Sequence, residues 1–144
     1  MKIPRQVPAV LDEAELLAMP ASDYMNARQQ QFFRQRLLGE RDALRRRIAE
    51  EFAGLREQEP TSDPADAGSA EEQRQWQLRL LEREKRLLDK IDDALQRLAQ
   101  GEYGWCAETG EPIGLARLLL RPTATLCVEA KERQERRERH IRDL

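Results

Sequence analysis

The apolar positions of this chain form two stripes of equal length. Phe33, Leu37, Leu44, Ile48 and Leu55 recur at steps of 4, 7, 4 and 7, and Leu38 and Phe52 widen the stripe. Trp76, Leu80, Leu87, Ile91 and Leu98 repeat the same steps, flanked by Leu81, Leu88 and Leu95. Such spacing places each set on one face of a helix. Between the stripes lies "EQEPTSDPADAGS", residues 57–69, with two prolines and a glycine that interrupt a helix. Two matched stripes across a short breaker predict an antiparallel helical hairpin over residues 22–101, with its tip at about 57–72. Ser22 or Asp23 is the expected N-cap, and Gly101 the expected left-handed C-cap. An eleven-residue repeat lies close to the period of a straight helix, so little left-handed supercoiling is expected. Each arm would reach ~40 Å at ~1.5 Å per residue.

The flanks read differently. Residues 1–21 hold three prolines and one short helix candidate, "LDEAELLA", which suggests an N-terminal arm. In residues 102–126, Gly104, Gly110, Pro112, Gly114 and Pro122 punctuate short apolar pieces, a pattern of tight turns and brief strands. From about Cys127 a charged helix runs to residue 144. The expected fold is mainly α: a long antiparallel two-helix coiled-coil hairpin, a small zinc-ribbon-like globular domain over 102–130, and a C-terminal helix over 127–144.

Composition narrows the function classes. Charged residues make up 36% of the 144 and aromatics 5%, which suits long helices with solvated faces better than a thick core. The net charge of −2 gives no bulk attraction to nucleic acid. No stretch has the apolar length of a membrane span, and "MKIPRQVPAV" lacks a signal-peptide core. With two cysteines, the expected compartment is the bacterial-type cytoplasm. His140, the sole histidine, sits in a charged run and reads as a solvated helix residue. There is no Gly-rich phosphate loop, Ser/His/Asp set or metalloprotease motif, so no enzyme is expected.

Charge is segregated along the hairpin. Residues 28–47 carry seven arginines against Glu40 and Asp42, and residues 74–90 carry six basic residues against three acids. From Glu57 to Gln73 there is no lysine or arginine but six acids, Asp63 and Asp66 among them. Turn chemistry accounts for Asp63-Pro64 by itself. It does not account for six acids gathered where they repel one another. A stiff rod with carboxylates at its point could place them deep in a cleft.

The stretch "WCAETGEPIGLARLLLRPTATLCVEA", Trp105 to Ala130, keeps the spacing of a metal site without its full ligand set. Cys106-x2-Thr109-x17-Cys127-x2-Ala130 has sulfur at two of four positions, whereas a structural zinc site takes Cys or His at all four. Threonine is a poor ligand and alanine none, and His140 lies ten residues beyond Ala130. No zinc is expected here. Zinc completed by water and a Cys106–Cys127 disulfide are the alternatives. Buried thiols would pack as small apolar groups, and Trp105, Ile113, Leu115, Leu118, Leu119, Leu120, Leu126 and Val128 would hold the knuckle against the hairpin.

Three segments together, "YMNARQQQFFR", "DPADAGSAEEQ" and "YGWCAETGEPIGLARLLLRPTATLCVEAK", resemble the DksA family of bacterial transcription factors from about residue 20 onward. The resemblance implies a regulator that does not bind DNA. It inserts its hairpin into the secondary channel of RNA polymerase, shortens the life of promoter open complexes and acts with the alarmone ppGpp in the stringent response, as a monomer. It places tip effectors at Asp63, Asp66 and Gly68, where the family usually has alanine, a departure expected to loosen the tip turn. It places alarmone contacts at Leu87, Lys90, Arg121 and Lys131. Lysine point charges and a forked guanidinium suit a phosphate-dense ligand. The resemblance also includes zinc-independent two-cysteine paralogues, suited to zinc scarcity or oxidation.

Three other functions compete with it. A Gre-like transcript-cleavage factor would use an acidic tip to hold a catalytic metal, and predicts a larger β-rich C-terminal part. A nucleic-acid-binding zinc ribbon needs ligands that are missing. A structural coiled-coil adaptor leaves the charge segregation unexplained.

Overall fold

The computed structural model describes residues 11–57 and 63–143. A short helix α1 (Glu13–Ala18) and a single 3-10 turn (Ala21–Asp23) lead into the long helices α2 (Ala27–Arg56) and α3 (Pro64–Gln100). A short α4 (Leu115–Leu120) and the tail helix α5 (Val128–Arg142) follow. The α2–α3 pairing dominates the tertiary contacts. It is antiparallel, since ion pairs join Arg41 to Asp92 at 3.7 Å and Arg47 to Glu84 at 3.8 Å. At ~1.5 Å per residue the two helices measure ~45 and ~55 Å.

The seam differs from the apolar stripes in a telling way. On α3 the buried or half-buried line is Leu81, Glu84, Leu88, Ile91, Leu95 and Leu98, at steps of 3 and 4. Trp76 and Leu87, both in the apolar stripe, are 58% and 45% exposed, and Phe52 on α2 is 48% exposed. On α2 the seam runs through Leu37, Arg41, Leu44, Ile48, Glu51 and Leu55. This is the 3.5-residue repeat of a left-handed coiled coil, not the eleven-residue repeat of a straight pair. Apolar residues alone mislead because Arg41, Glu51 and Glu84 occupy seam positions that a hydrophobic pattern skips.

The helix ends have local causes. Neither Ser22 nor Asp23 caps α2; Asn26 does, its Oδ1 accepting from the Gln29 amide at 3.0 Å. Gly101 closes α3 at φ 76°, its amide donating to the Arg97 and Leu98 carbonyls, as its position predicts.

One core holds the root together. Phe33, Leu37 and Leu44 of α2 meet Ile91, Ala94 and Leu98 of α3, and Leu16, Tyr103, Leu118 and Ala130 close over them. Tyr24 latches the arm to the knuckle. Its hydroxyl donates to the Gly104 carbonyl at 2.5 Å and accepts from the Gly114 amide at 2.9 Å. Gly104 stands at φ 88°, where a side chain is strained, and a Cβ there would also lie 2.8 Å from the Met25 side chain.

The brief strands expected in residues 102–126 reduce to one isolated bridge, Trp105 to Pro112, among the described residues. "LARLLL" forms α4 instead, and leaves Leu120 86% exposed rather than packed. Val128 is also exposed, at 46%, whereas Ile113 and Leu118 are buried as expected. Among the described residues, the β-rich C-terminal part required by a Gre-type factor is not found.

Candidate functional site

Three places carry the candidate residues: the start of α3, a cleft at the root of the hairpin, and the thiol pair inside the knuckle. At the start of α3, Asp63 is the N-cap, its Oδ1 accepting from the Ala65 amide at 3.0 Å. Pro64 and Asp66 occupy the first turn, where a fixed φ and a negative charge both favour the helix N-terminus. Asp63, Asp66, Glu71 and Glu72 are all exposed. Gly68 lies within α3 rather than in a turn; nothing stands within 4 Å of a Cβ placed there. Glu59 and the rest of residues 58–62 lie outside the described residues. From Asp63 to Lys90 is ~40 Å along α3, at ~1.5 Å per residue.

At the root, one cleft of about 730 Å³ gathers Leu87, Lys90, Arg121 and Lys131, residues that the chain supplies from three separate segments. The 121–126 loop between α4 and α5 lines this cleft together with α3 and the start of α5. Arg117, missed in the sequence, adds a fourth cation; its Nε donates to the Leu126 carbonyl at 3.0 Å, which fixes the guanidinium on the wall. Lys131 Nζ donates to Gln134 Oε1 at 3.2 Å. Leu87 and the exposed Leu120 give the cleft an apolar lip, while Glu40 and Asp93 add carboxylates. Burial raises the pKa of Glu40 above its ordinary value against the opposing pull of Arg36. Four cations, two carboxylates and an apolar lip suit an anion with an apolar or aromatic part. Arg117 stands one helical turn before Arg121, a spacing that could have been read in the sequence.

In the knuckle, Cys106 and Cys127 are free and buried, 3% and 4% exposed. Ala130 is fully buried and supplies no ligand atom. Thr109 Oγ1 accepts from the Glu111 amide at 3.2 Å and stands 4.0 Å from Cys127 Sγ, where either group can donate. Burial pushes the Cys106 thiol up, but hydrogen bonds from the Thr109 hydroxyl and the Cys127, Thr109 and Glu108 amides outweigh it. They bring the pKa to about 6. Glu108 also holds the tail helix, facing Arg133 at 3.6 Å and Arg137 at 3.7 Å. No group of three or more Cys, His, Asp or Glu is arranged for a metal among the described residues, and His140 is exposed on α5. Two thiols, a hydroxyl and a methyl do not fit tetrahedral zinc.

The comparisons with known proteins agree with this architecture. The DnaK suppressor protein DksA N-terminal domain matches residues 29–98, and the prokaryotic dksA/traR C4-type zinc finger matches residues 101–136. The RNA polymerase-binding transcription factor DksA of Caulobacter vibrioides is 50% identical over 127 residues, covering 86% of this chain and 89% of the relative. The protein of that name from Escherichia coli is 33% identical over 123 residues, covering 85% and 82%. A solved structure of transcription factor DksA2 from Pseudomonas aeruginosa superposes with a TM-score of 0.82. It is 70% identical and covers 90% of this chain and all of that one. The two matches meet at the root of the hairpin, where helix seam and knuckle share one core, and together they place this chain in the DksA family.

Proposed function

We propose that this chain is an RNA polymerase-binding transcription regulator that works by inserting its hairpin into the polymerase secondary channel. Its relatives in Caulobacter vibrioides and Escherichia coli are RNA polymerase-binding transcription factors by name, which supports this partner. The observation that carries the mode of action is the separation of chemistry along one rod. Carboxylates cap the far end of α3, and cations gather in a cleft ~40 Å away at the root, by the helix rise. Asp63 and Asp66 act on the polymerase near its active centre and shorten the life of promoter open complexes. The root cleft holds ppGpp: Lys90, Arg121 and Lys131 meet its phosphates and Leu87 its apolar face. Arg117, pinned to the loop carbonyl, sets the wall for them.

The regulator is a soluble, cytoplasmic monomer that catalyses nothing itself and does not bind DNA. Among the described residues, no helix is long and apolar enough to cross a membrane. The regulator works without zinc because Thr109 and Ala130 replace two ligands and the knuckle is held by packing and hydrogen bonds. The test is transcription in vitro from a ribosomal RNA promoter, with and without ppGpp, under a strong zinc chelator. Inhibition should persist under the chelator and deepen with ppGpp. The Lys90→Ala, Lys131→Ala variant should keep the basal effect and lose the ppGpp increment. Loss of inhibition under the chelator contradicts zinc independence, and an undiminished ppGpp increment in the variant removes the cleft assignment.

A further inference from the structure

The hairpin seam carries two acids that neither the tip nor the cleft explains. Glu84 on α3 is 7% exposed, the only buried carboxylate among the described residues. Glu51, in the neighbouring seam layer of α2, reaches it within side-chain hydrogen-bonding range. Oε2 of Glu51 and Oε2 of Glu84 are both buried, and neither has a hydrogen-bond donor. The surroundings do little to neutralise them. Arg47, on α2, is 3.8 Å from Glu84 Oε1, but its side chain is 58% exposed. Glu50, also on α2, adds a further negative charge beside Glu51. On α3, Arg83 and Lys85 flank Glu84 but are exposed and make no ion pair with either acid.

An ionised carboxylate only accepts hydrogen bonds, so two facing carboxylates leave both inner oxygens unsatisfied. A single proton turns the same pair into an O–H···O bond and satisfies both. Burial, then the hydrogen bond and charge of Glu84, raise the pKa of Glu51 above its ordinary value, against the pull of Arg47. The position of the pair adds to this. On its root side the seam is one continuous core, from Phe33 and Leu98 to Leu44 and Ile91. On its tip side Leu55 and Leu81 are buried but stand apart from that core, and beyond them Trp76 is 58% exposed. Little apolar burial holds the far part of the rod closed.

We propose that Glu51 and Glu84 form a proton-operated latch: one shared proton closes the seam at their level, and its release to solvent loosens the helices from there to the tip. The sign is opposite to ordinary acid lability. A carboxyl whose folded-state pKa is raised stabilises the closed form fully below its ordinary pKa. That stabilisation is lost as pH rises through the raised value. The rod is stiffest in mild acid. The latch stands on the seam alone and does not depend on what the hairpin binds.

Amide hydrogen exchange on the full chain between about pH 5 and about pH 8 tests it, with intrinsic rates divided out. The opening constant at Leu55 and Leu81 should rise with pH, by up to about tenfold per pH unit for one linked proton, while Leu37 and Ile91 stay flat. In Glu51→Gln the amide donates permanently to Glu84, and the rise at Leu55 and Leu81 should vanish. Glu84→Gln should do the same and serves if the first variant loses helical signal. A wild-type opening constant that ignores pH, or the same rise in both Gln variants, overturns the latch.

Discussion

At the scale of single residues, Gly68 and Thr109 each depart from what the family resemblance or metal chemistry leads one to expect. Gly68 is exposed inside α3 with an open Cβ position and needs no special φ. Its effect is therefore backbone entropy in a helix rather than the loosened turn expected from its place near the tip. Gly68→Ala should stabilise the far part of α3 by about 0.5–1 kcal/mol, read as slower amide exchange over residues 64–72. A destabilised variant would show that the helix is not the state in solution. The Thr109 hydroxyl is the side-chain group that lowers the pKa of the Cys106 thiol. Thr109→Val should raise that thiol from about 6 toward its ordinary 9.0, followed by thiolate absorbance against pH. Because the folded-state value is the lower one, the thiolate's stabilisation is complete above the ordinary pKa. It is lost as pH falls through about 6. Thr109→Val should flatten that part of the stability profile; an unchanged titration would remove the hydroxyl from the account.

At the scale of elements, the tie between arm and knuckle is the one whose cost is easiest to measure. Tyr24→Phe leaves the Gly114 amide without its acceptor, while the Gly104 carbonyl keeps the Ile113 amide at 2.8 Å. One orphaned donor should cost about 1–3 kcal/mol in urea unfolding. A loss below about 0.5 kcal/mol would mean that water replaces the latch. The hairpin and the Gly101 cap were legible because periodicity and backbone chemistry act locally, whereas the breaker read over 57–69 gives way to helix α3 from Pro64 onward. The register was not. Trp76 and Leu87 fit a helical stripe by spacing, yet tertiary pairing put Glu84 and Glu51 in the seam and left those two outside. Likewise "LARLLL" folded as α4 although five glycines and prolines around it suggested strands. In the root cleft, Leu87, Lys90, Arg121 and Lys131 came from resemblance. Arg117 lies one turn before Arg121 and lines the same cleft, a spacing the sequence carries but a hydrophobic pattern does not single out.

At the scale of the whole molecule, the near-neutral net charge conceals a division of labour: acids at the far end, cations at the root, and one core where both helices meet the knuckle. That division makes contact and effect separable. Replacing Asp63 and Asp66 by Asn keeps side-chain acceptors at the helix start, where Asn caps about as well as Asp, and removes two charges. The rod and its root should be unaffected. The most direct measurement is the half-life of a ribosomal RNA promoter open complex. It would be followed with wild type and with the Asp63→Asn, Asp66→Asn variant at saturating concentrations, alongside polymerase affinity for each. The account predicts affinity within about twofold and no shortening of the half-life by the variant. Shortening equal to wild type, or affinity and effect falling together, would contradict it.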